Sequence, residues 1–387
     1  MPHLSEHYQK TRTLTGLITA PLFVEDCCIQ PSPEVSPPKW HLGHTTWFFE
    51  TFLLEKYLPG YYSFNKDLHQ VFNSYYKKMG SHWKQSERGF LSRPSVSEIH
   101  EYRKYVDQAM IDLLQMNIVP LELVELGIHH EQQHQELLYQ DIKSILFRQY
   151  QPQKYWGIAQ AATLTDTKNY VSFEGGLVEI GHPGGSFAFD NESPSHMHYL
   201  RPYKMRQSLV TNLEYLDFIE CGGYTEPSYW LSDGWDWVQN SRHTHPLYWV
   251  YRDGTWWEYD FNGLKELNKD KAVCHVNYYE ASAFARFAGK RLPTEAEWEH
   301  AAKTQGHAFK DLTDCLWQWT SSAYLPYPGH QWHDGPLGEY NSKFMVNQMV
   351  LRGGSAWTPA HHLRLTYRNF FYPDKKWAFT GIRLTED

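Results

Sequence analysis

Cysteine is scarce in this 387-residue chain: Cys27, Cys28, Cys221, Cys274 and Cys315 are odd in number, scattered, and without any C-x-x-C spacing. That distribution indicates neither a disulfide framework nor a zinc ribbon. No apolar run approaches the roughly 20 residues that span a bilayer. The opening MPHLSEHYQK is polar and lacks the apolar stretch of a secretory signal. The expectation is a soluble, cytoplasmic protein with no membrane partner. Positive charge is short too: 36 Lys and Arg against 44 Asp and Glu leave a net charge of -8, which argues against a broad grip on nucleic acid. No repeat of solenoid length is visible.

What the chain has in quantity is rings. It carries 16 Trp, 27 Tyr, 20 Phe and 22 His, with 41% hydrophobic residues, enough for real cores and for sites built from aromatic faces and imidazoles. The length suggests two domains. The first 155 residues read as helices. Residues 97–116 place Ile99, Tyr102, Val106, Met110 and Leu113 on one stripe, with Ser95 and Glu98 as a capping box and Pro120 as a stop. Residues 121–147 set Leu123, Leu126, His130, His134 and Leu137 down one face, and 4–24 and 41–58 have the same period. Four such stretches suggest a helix bundle. Beyond a junction near 150–172, Gly and Trp rise and short strand-like runs such as 175–185 and 249–259 alternate with turns. Two helices are expected there, Leu213–Ile219 and Tyr279–Ala288. The reading is an α + (α+β) chain, with domains at 1–155 and 156–387.

The sharpest motif is His130-Glu131-Gln132-Gln133-His134. On a helix, histidines at i and i+4 project from one face, close enough for one metal ion. The pattern also satisfies the H-E-x-x-H of zinc proteases, or it is simply a polar helix face. A second segment, Trp40-His41-Leu42-Gly43-His44-Thr45-Thr46-Trp47, lies in another helix, and one of its histidines could complete a three-His site. Three neutral imidazoles suit Fe(II) or Zn(II) without choosing between them.

PPKWHLGHTTWFFETFLL with HHEQQHQELL resembles the DinB-like four-helix domain of ergothioneine-biosynthesis sulfoxide synthases. GKRLPTEAEWEHAA (289–302), CLWQWTSS (315–322), LRGGSAW (351–357) and TGIRL (380–384) resemble the formylglycine-generating-enzyme-like domain, a C-type-lectin-like fold. The domain order is that of the synthases. No cysteine follows Cys315, which argues against formylglycine-generating activity itself.

The resemblance implies Fe(II) bound by His44, His130 and His134, with His41 and His129 outside the ligand set. It implies a reaction in which O2 joins a thiol to C2 of the imidazole of hercynine and oxidises the sulfur to a sulfoxide. Gln133 matches a residue that holds hercynine. Asn369, Phe370 and Phe371 match the segment facing its trimethylammonium and carboxylate groups, the former a cation recognised by ring faces. Synthases that take γ-glutamylcysteine carry Asp and Arg where this chain has Phe371 and Lys375, so the resemblance favours the branch that uses free cysteine. The pair Tyr75 and Tyr76 then implies a phenolic proton donor, and Arg88 and Arg93 a bidentate grip on the cysteine carboxylate. A 5-histidylcysteine sulfoxide synthase, a selenoneine synthase and a zinc-dependent DinB-like thiol transferase stay open as alternatives, as does a homo-oligomer.

Overall fold

The computed structural model describes residues 2–74, 76, 80–155, 167–332 and 341–387. The chain divides into two compact units, the first formed by Met1–Ala159 with Phe261–Gly263 and 333–340, the second by the remainder. The stretch 156–166, where the expected junction falls, lies outside the described residues.

The first unit is helical. Its long helices are Pro2–Thr19, Pro38–Phe49, Val96–Met116 and Leu121–Phe147, and the second of these packs against both the third and the fourth. Ser95 and Glu98 make the expected capping box. The Val96–Met116 helix stops at Asn117, in the left-handed region at φ 62°, and Pro120 opens the next helix instead of ending this one. On Leu121–Phe147 the expected face is half-buried at Leu123, Leu126 and Leu137, whereas Val124, Ile128, Leu138, Ile142 and Ile145 are buried. Gly127 lets this helix close on Pro38–Phe49, because a Cβ there would lie 2.6 Å from the ring of Phe49. After Phe49 the second helix widens into a π-helical turn, Glu50–Leu54. The Glu50 carboxylate is buried there and accepts hydrogen bonds from Tyr61 and Tyr102, each at 2.6 Å, and from the Phe64 amide at 2.9 Å.

The second unit is built on short sheets. One has the order Asn369–Phe371, Met349–Arg352, Trp317–Ala323, Thr380–Gly381, antiparallel except for the last pair. Another joins Tyr170–Phe173, Tyr203–Arg206 and Thr385–Glu386. The 175–185 run supplies strand Gly176–Ile180, and 249–259 folds as a hairpin whose turn, Asp253-Gly254, has both φ angles positive. Helices Asn212–Glu220 and Tyr278–Phe287 stand where expected. Two more, Ser232–Ser241 and Glu295–Gln305, go beyond the sequence expectation. The latter begins with a Thr294–Glu297 capping box.

The sequence motifs of this unit converge on buried ion pairs. Arg352 meets Glu299, both fully buried, and Glu299 also accepts from Lys303 and the Gly181 amide, each at 2.7 Å. Arg368 clasps Glu295 at 2.8 and 2.9 Å. Arg383 and Trp298 both donate to Gln318 Oε1 at 2.7 Å. RLPTEAEWE, LWQWT, LRGG and GIRL are therefore partners in one polar lattice that positions strands and helix. Replacing Glu299 by Ala should strand the Arg352 guanidinium and cost about 3–5 kcal/mol. Chemical denaturation followed by tryptophan fluorescence would show this as a clear fall in midpoint.

Candidate metal centre

Helical period brings His130 and His134 to one side of the Leu121–Phe147 helix, and His44 reaches them from Pro38–Phe49. The ligand nitrogens of the three all lie within 4.8 Å of one another, the one such cluster among the described residues. His44 and His130 are fully buried and His134 is 8% exposed. Burial pushes the imidazolium forms of His44 and His134 well below the ordinary range and that of His130 down to about 3. All three stay neutral, as metal ligands must be.

A hydrogen bond fixes which nitrogen of the His44 ring is bare. His44 Nδ1 lies 2.6 Å from the Phe72 carbonyl, which can only accept, so the proton sits on Nδ1 and the lone pair on Nε2. That Nε2 lies 3.1 Å from His130 Nε2. Two imidazole nitrogens about 2.1 Å from one ion, at right angles to each other, would be about 3.0 Å apart. The residues therefore fit a bound divalent metal. Glycine is required next to His44: a Cβ on Gly43 would lie 2.2 Å from the Phe72 ring, whose backbone carbonyl holds His44. Trp40 stacks on His44 at 4.6 Å, and Trp47 lies over it at 5.8 Å.

Glu131 does not serve this centre. It is fully buried, with Oε2 held by Arg12 at 2.8 Å and Oε1 by Arg103 at 3.1 Å. Burial opposes its ionisation, but the two guanidiniums outweigh that and hold the carboxyl at about 2. A carboxylate occupied in this way cannot act as the general base of an H-E-x-x-H protease. Neither arginine belongs to a motif that the sequence alone picks out.

The structure places His41 beside the cluster. Its Nδ1 lies 2.8 Å from His134 Nδ1 and its Nε2 2.9 Å from Asp141 Oδ2. Asp141 is seven positions after His134 on the same helix, a spacing of two turns that is readable in the sequence.

Arg88 and Arg93 come together, with Lys39, Trp40 and Phe72, around one narrow cleft. Arg88 is buried, stacked 3.3 Å from the Trp40 ring centroid, and donates to Ser36 Oγ at 2.8 Å. Arg93 is exposed. Gln133 is half-buried. Tyr76 is fully buried against Trp47 and Phe52, at 5.6 and 5.3 Å, and Asn73 braces its backbone on both sides. Tyr75 lies outside the described residues.

In the second unit Asn369, Phe370 and Phe371 form one half-buried strand. Phe370 stacks on Tyr324 at 4.1 Å, and Phe371 meets Trp377 edge-on at 5.1 Å. The Asn369 Oδ1 accepts from the Phe370 amide at 2.9 Å, so its carbonyl dipole is already engaged within the strand.

Residues 157–314 match the family model of the sulfatase-modifying factor enzyme 1-like domain. Over 418 aligned positions the chain is 27% identical to the hercynine oxygenase of Mycolicibacterium thermoresistibile, covering 92% of this chain and 89% of that protein. Along most of its length the chain is thus similar to a hercynine oxygenase. It is 29% identical to the hercynine oxygenase of Mycobacterium tuberculosis, across 52% of this chain and 56% of that protein. It is 30% identical to the formylglycine-generating enzyme of Streptomyces coelicolor, across 37% of this chain and 49% of that one. The chain thus spans about half the length of these last two relatives. Among the described residues, no helix is long and apolar enough to cross a membrane.

Replacing His44, His130 or His134 by Ala should each abolish stoichiometric metal binding in elemental analysis. Glu131→Gln should keep the metal and instead lose about 3–5 kcal/mol of stability, since two buried arginines lose their counter-charge. Loss of metal in the Gln variant at temperatures where it is folded would return Glu131 to the centre.

Proposed function

We propose that this chain is an Fe(II)- and O2-dependent oxidoreductase, a sulfoxide synthase that joins cysteine to C2 of the hercynine imidazole as a step of ergothioneine biosynthesis. The balance is hercynine, cysteine and O2 to hercynylcysteine sulfoxide and water. The observation that carries the reading is a buried cluster of three neutral histidines in a chain similar along 92% of its length to a protein named hercynine oxygenase. The proposed architecture is a DinB-like four-helix bundle at 1–155, followed at 156–387 by a formylglycine-generating-enzyme-like domain.

His44, His130 and His134 would hold the iron, which when bound supplies redox chemistry and a positive charge that favours thiolate. Neutral ligands leave that charge uncompensated. Arg88 and Arg93, on one cleft with Lys39, would take the cysteine carboxylate. Gln133, beside His134, would orient hercynine. Phe370 and Phe371 would offer ring faces to its trimethylammonium group, while Asn369, its carbonyl engaged, would donate through Nδ2 to the carboxylate. Tyr75 or Tyr76 would supply the proton that steers turnover toward C–S joining and away from plain thiol oxidation, since a phenol with an ordinary value near 10 is protonated at neutral pH.

Anaerobic loading with Fe(II), followed by hercynine and cysteine in air, should yield the sulfoxide by mass spectrometry with matching oxygen uptake. Activity with zinc alone and no oxygen consumption would replace this reading by the thiol transferase. In competition, cysteine should outrun γ-glutamylcysteine, as Phe371 and Lys375 offer no matched charge pair to a glutamyl extension. Hercynine should be preferred over histidine, by the roughly 0.5–2 kcal/mol of a cation on a ring face. Of Tyr75→Phe and Tyr76→Phe, one should shift product from sulfoxide to cysteine sulfinate at comparable oxygen uptake. An unchanged ratio in both single variants and the double variant would place the donor elsewhere.

A further inference from the structure

His41 stands outside the ligand set that the resemblance implies, and Asp141 belongs to no sequence motif. Both are buried, at 2% and 3% exposure. Their hydrogen bonds form a chain in which one arrangement of protons leaves His134 a bare nitrogen for a metal. Asp141 Oδ2 accepts from the Ser36 amide at 2.9 Å and faces His41 Nε2 at 2.9 Å. A carboxylate only accepts, so His41 carries a proton on Nε2, and the neutral imidazole then presents a lone pair at Nδ1. That lone pair faces His134 Nδ1 at 2.8 Å, so His134 must donate from Nδ1. Its Nε2 is then the bare nitrogen. In the reverse arrangement, with His41 donating from Nδ1, His134 would carry hydrogen on Nε2 and could not bind a metal there. His44 reaches the same state by a different acceptor, the Phe72 carbonyl.

We infer that His41, oriented by Asp141, is a positioning residue that fixes the tautomer and ring plane of His134 and so prepares one ligand of the metal centre. The inference rests on the metal-centre reading above and adds two residues to it. Outer partners of ligating histidines typically account for 10–100-fold in metal affinity. His41 touches the metal through His134 alone, so its loss should weaken binding without emptying the site.

The test uses the full chain, stripped of metal and titrated with Co(II), whose visible bands report ligand geometry. His41→Phe keeps a ring and removes both nitrogens. His41→Asn keeps an oxygen near the place of Nδ1 that can accept from His134. Asp141→Asn keeps an acceptor for His41 and removes its charge. Co(II) affinity should fall 10–100-fold in His41→Phe with altered bands, and less in His41→Asn and Asp141→Asn, at a temperature where the metal-free variants are folded by circular dichroism. Should His41→Phe prove unfolded without metal, the two Asn variants decide alone: weakened affinity with shifted bands supports the inference. Wild-type affinity and spectrum in every folded variant overturn it. A wild-type chain that takes up neither Co(II) nor Fe(II) overturns the metal-centre reading itself, and the inference with it.

Discussion

Three imidazoles can crowd into a dry interior only if each is neutral and each keeps its proton on the side away from the others. Burial enforces the first condition, because an imidazolium with no water and no counter-ion is too costly there. The second falls to hydrogen-bond acceptors around the cluster. A backbone carbonyl serves His44, and the imidazole of His41 serves His134. The helices, their glycine contacts and the short Leu68–Phe72 helix are arranged to deliver those acceptors. The same shell leads outward to the cleft, from His41 to Asp141, to the backbone of Ser36, and from the Ser36 hydroxyl to Arg88. The side chain proposed to grip the substrate carboxylate is thus tied to the ligand shell by fixed hydrogen bonds.

Both units keep large charges inside. In the first, Glu131 lies between Arg12 and Arg103, and Arg12 also reaches Asp107 at 2.6 Å and Thr46 at 2.9 Å. In the second, Glu299, Glu295 and Glu192 are matched by Arg352, Arg368 and Arg364. Such pairs add little to stability relative to well-packed apolar residues, yet are severe when half removed. They act as registration devices: each guanidinium has a planar fork that accepts one carboxylate geometry. This explains why the motifs of the second unit read so clearly while none of them looks like catalytic machinery.

The histidine cluster is legible in the sequence because it obeys helical period and because the Trp40–His44 segment resembles a known ligand-bearing one. The place of His41 is not, since a histidine three residues before another on a helix looks the same whether it binds metal or supports a ligand; only the position of Asp141 decides. The helices Ser232–Ser241 and Glu295–Gln305 escape sequence reading for different reasons. The first is only ten residues long and opens on Ser-Asp-Gly, which reads as a turn. The second begins inside a motif whose family likeness overshadows its plain Thr-x-x-Glu start. Pro120 reads as a terminator, but an asparagine in the left-handed region ends the helix three residues earlier and frees the proline to start the next.

Gly43 shows how far a local packing demand reaches. Its missing side chain lets the Phe72 ring lie directly on the helix surface, and the backbone that follows that ring offers its carbonyl to His44. Ring and carbonyl belong to one residue, so the seat of the ring sets the acceptor's reach. The basicity of one ligand is thereby coupled to the volume of a neighbour that never approaches the ion. Within this bundle, the electronic character of the centre can drift through steric changes on the far side of a helix while every coordinating atom stays the same.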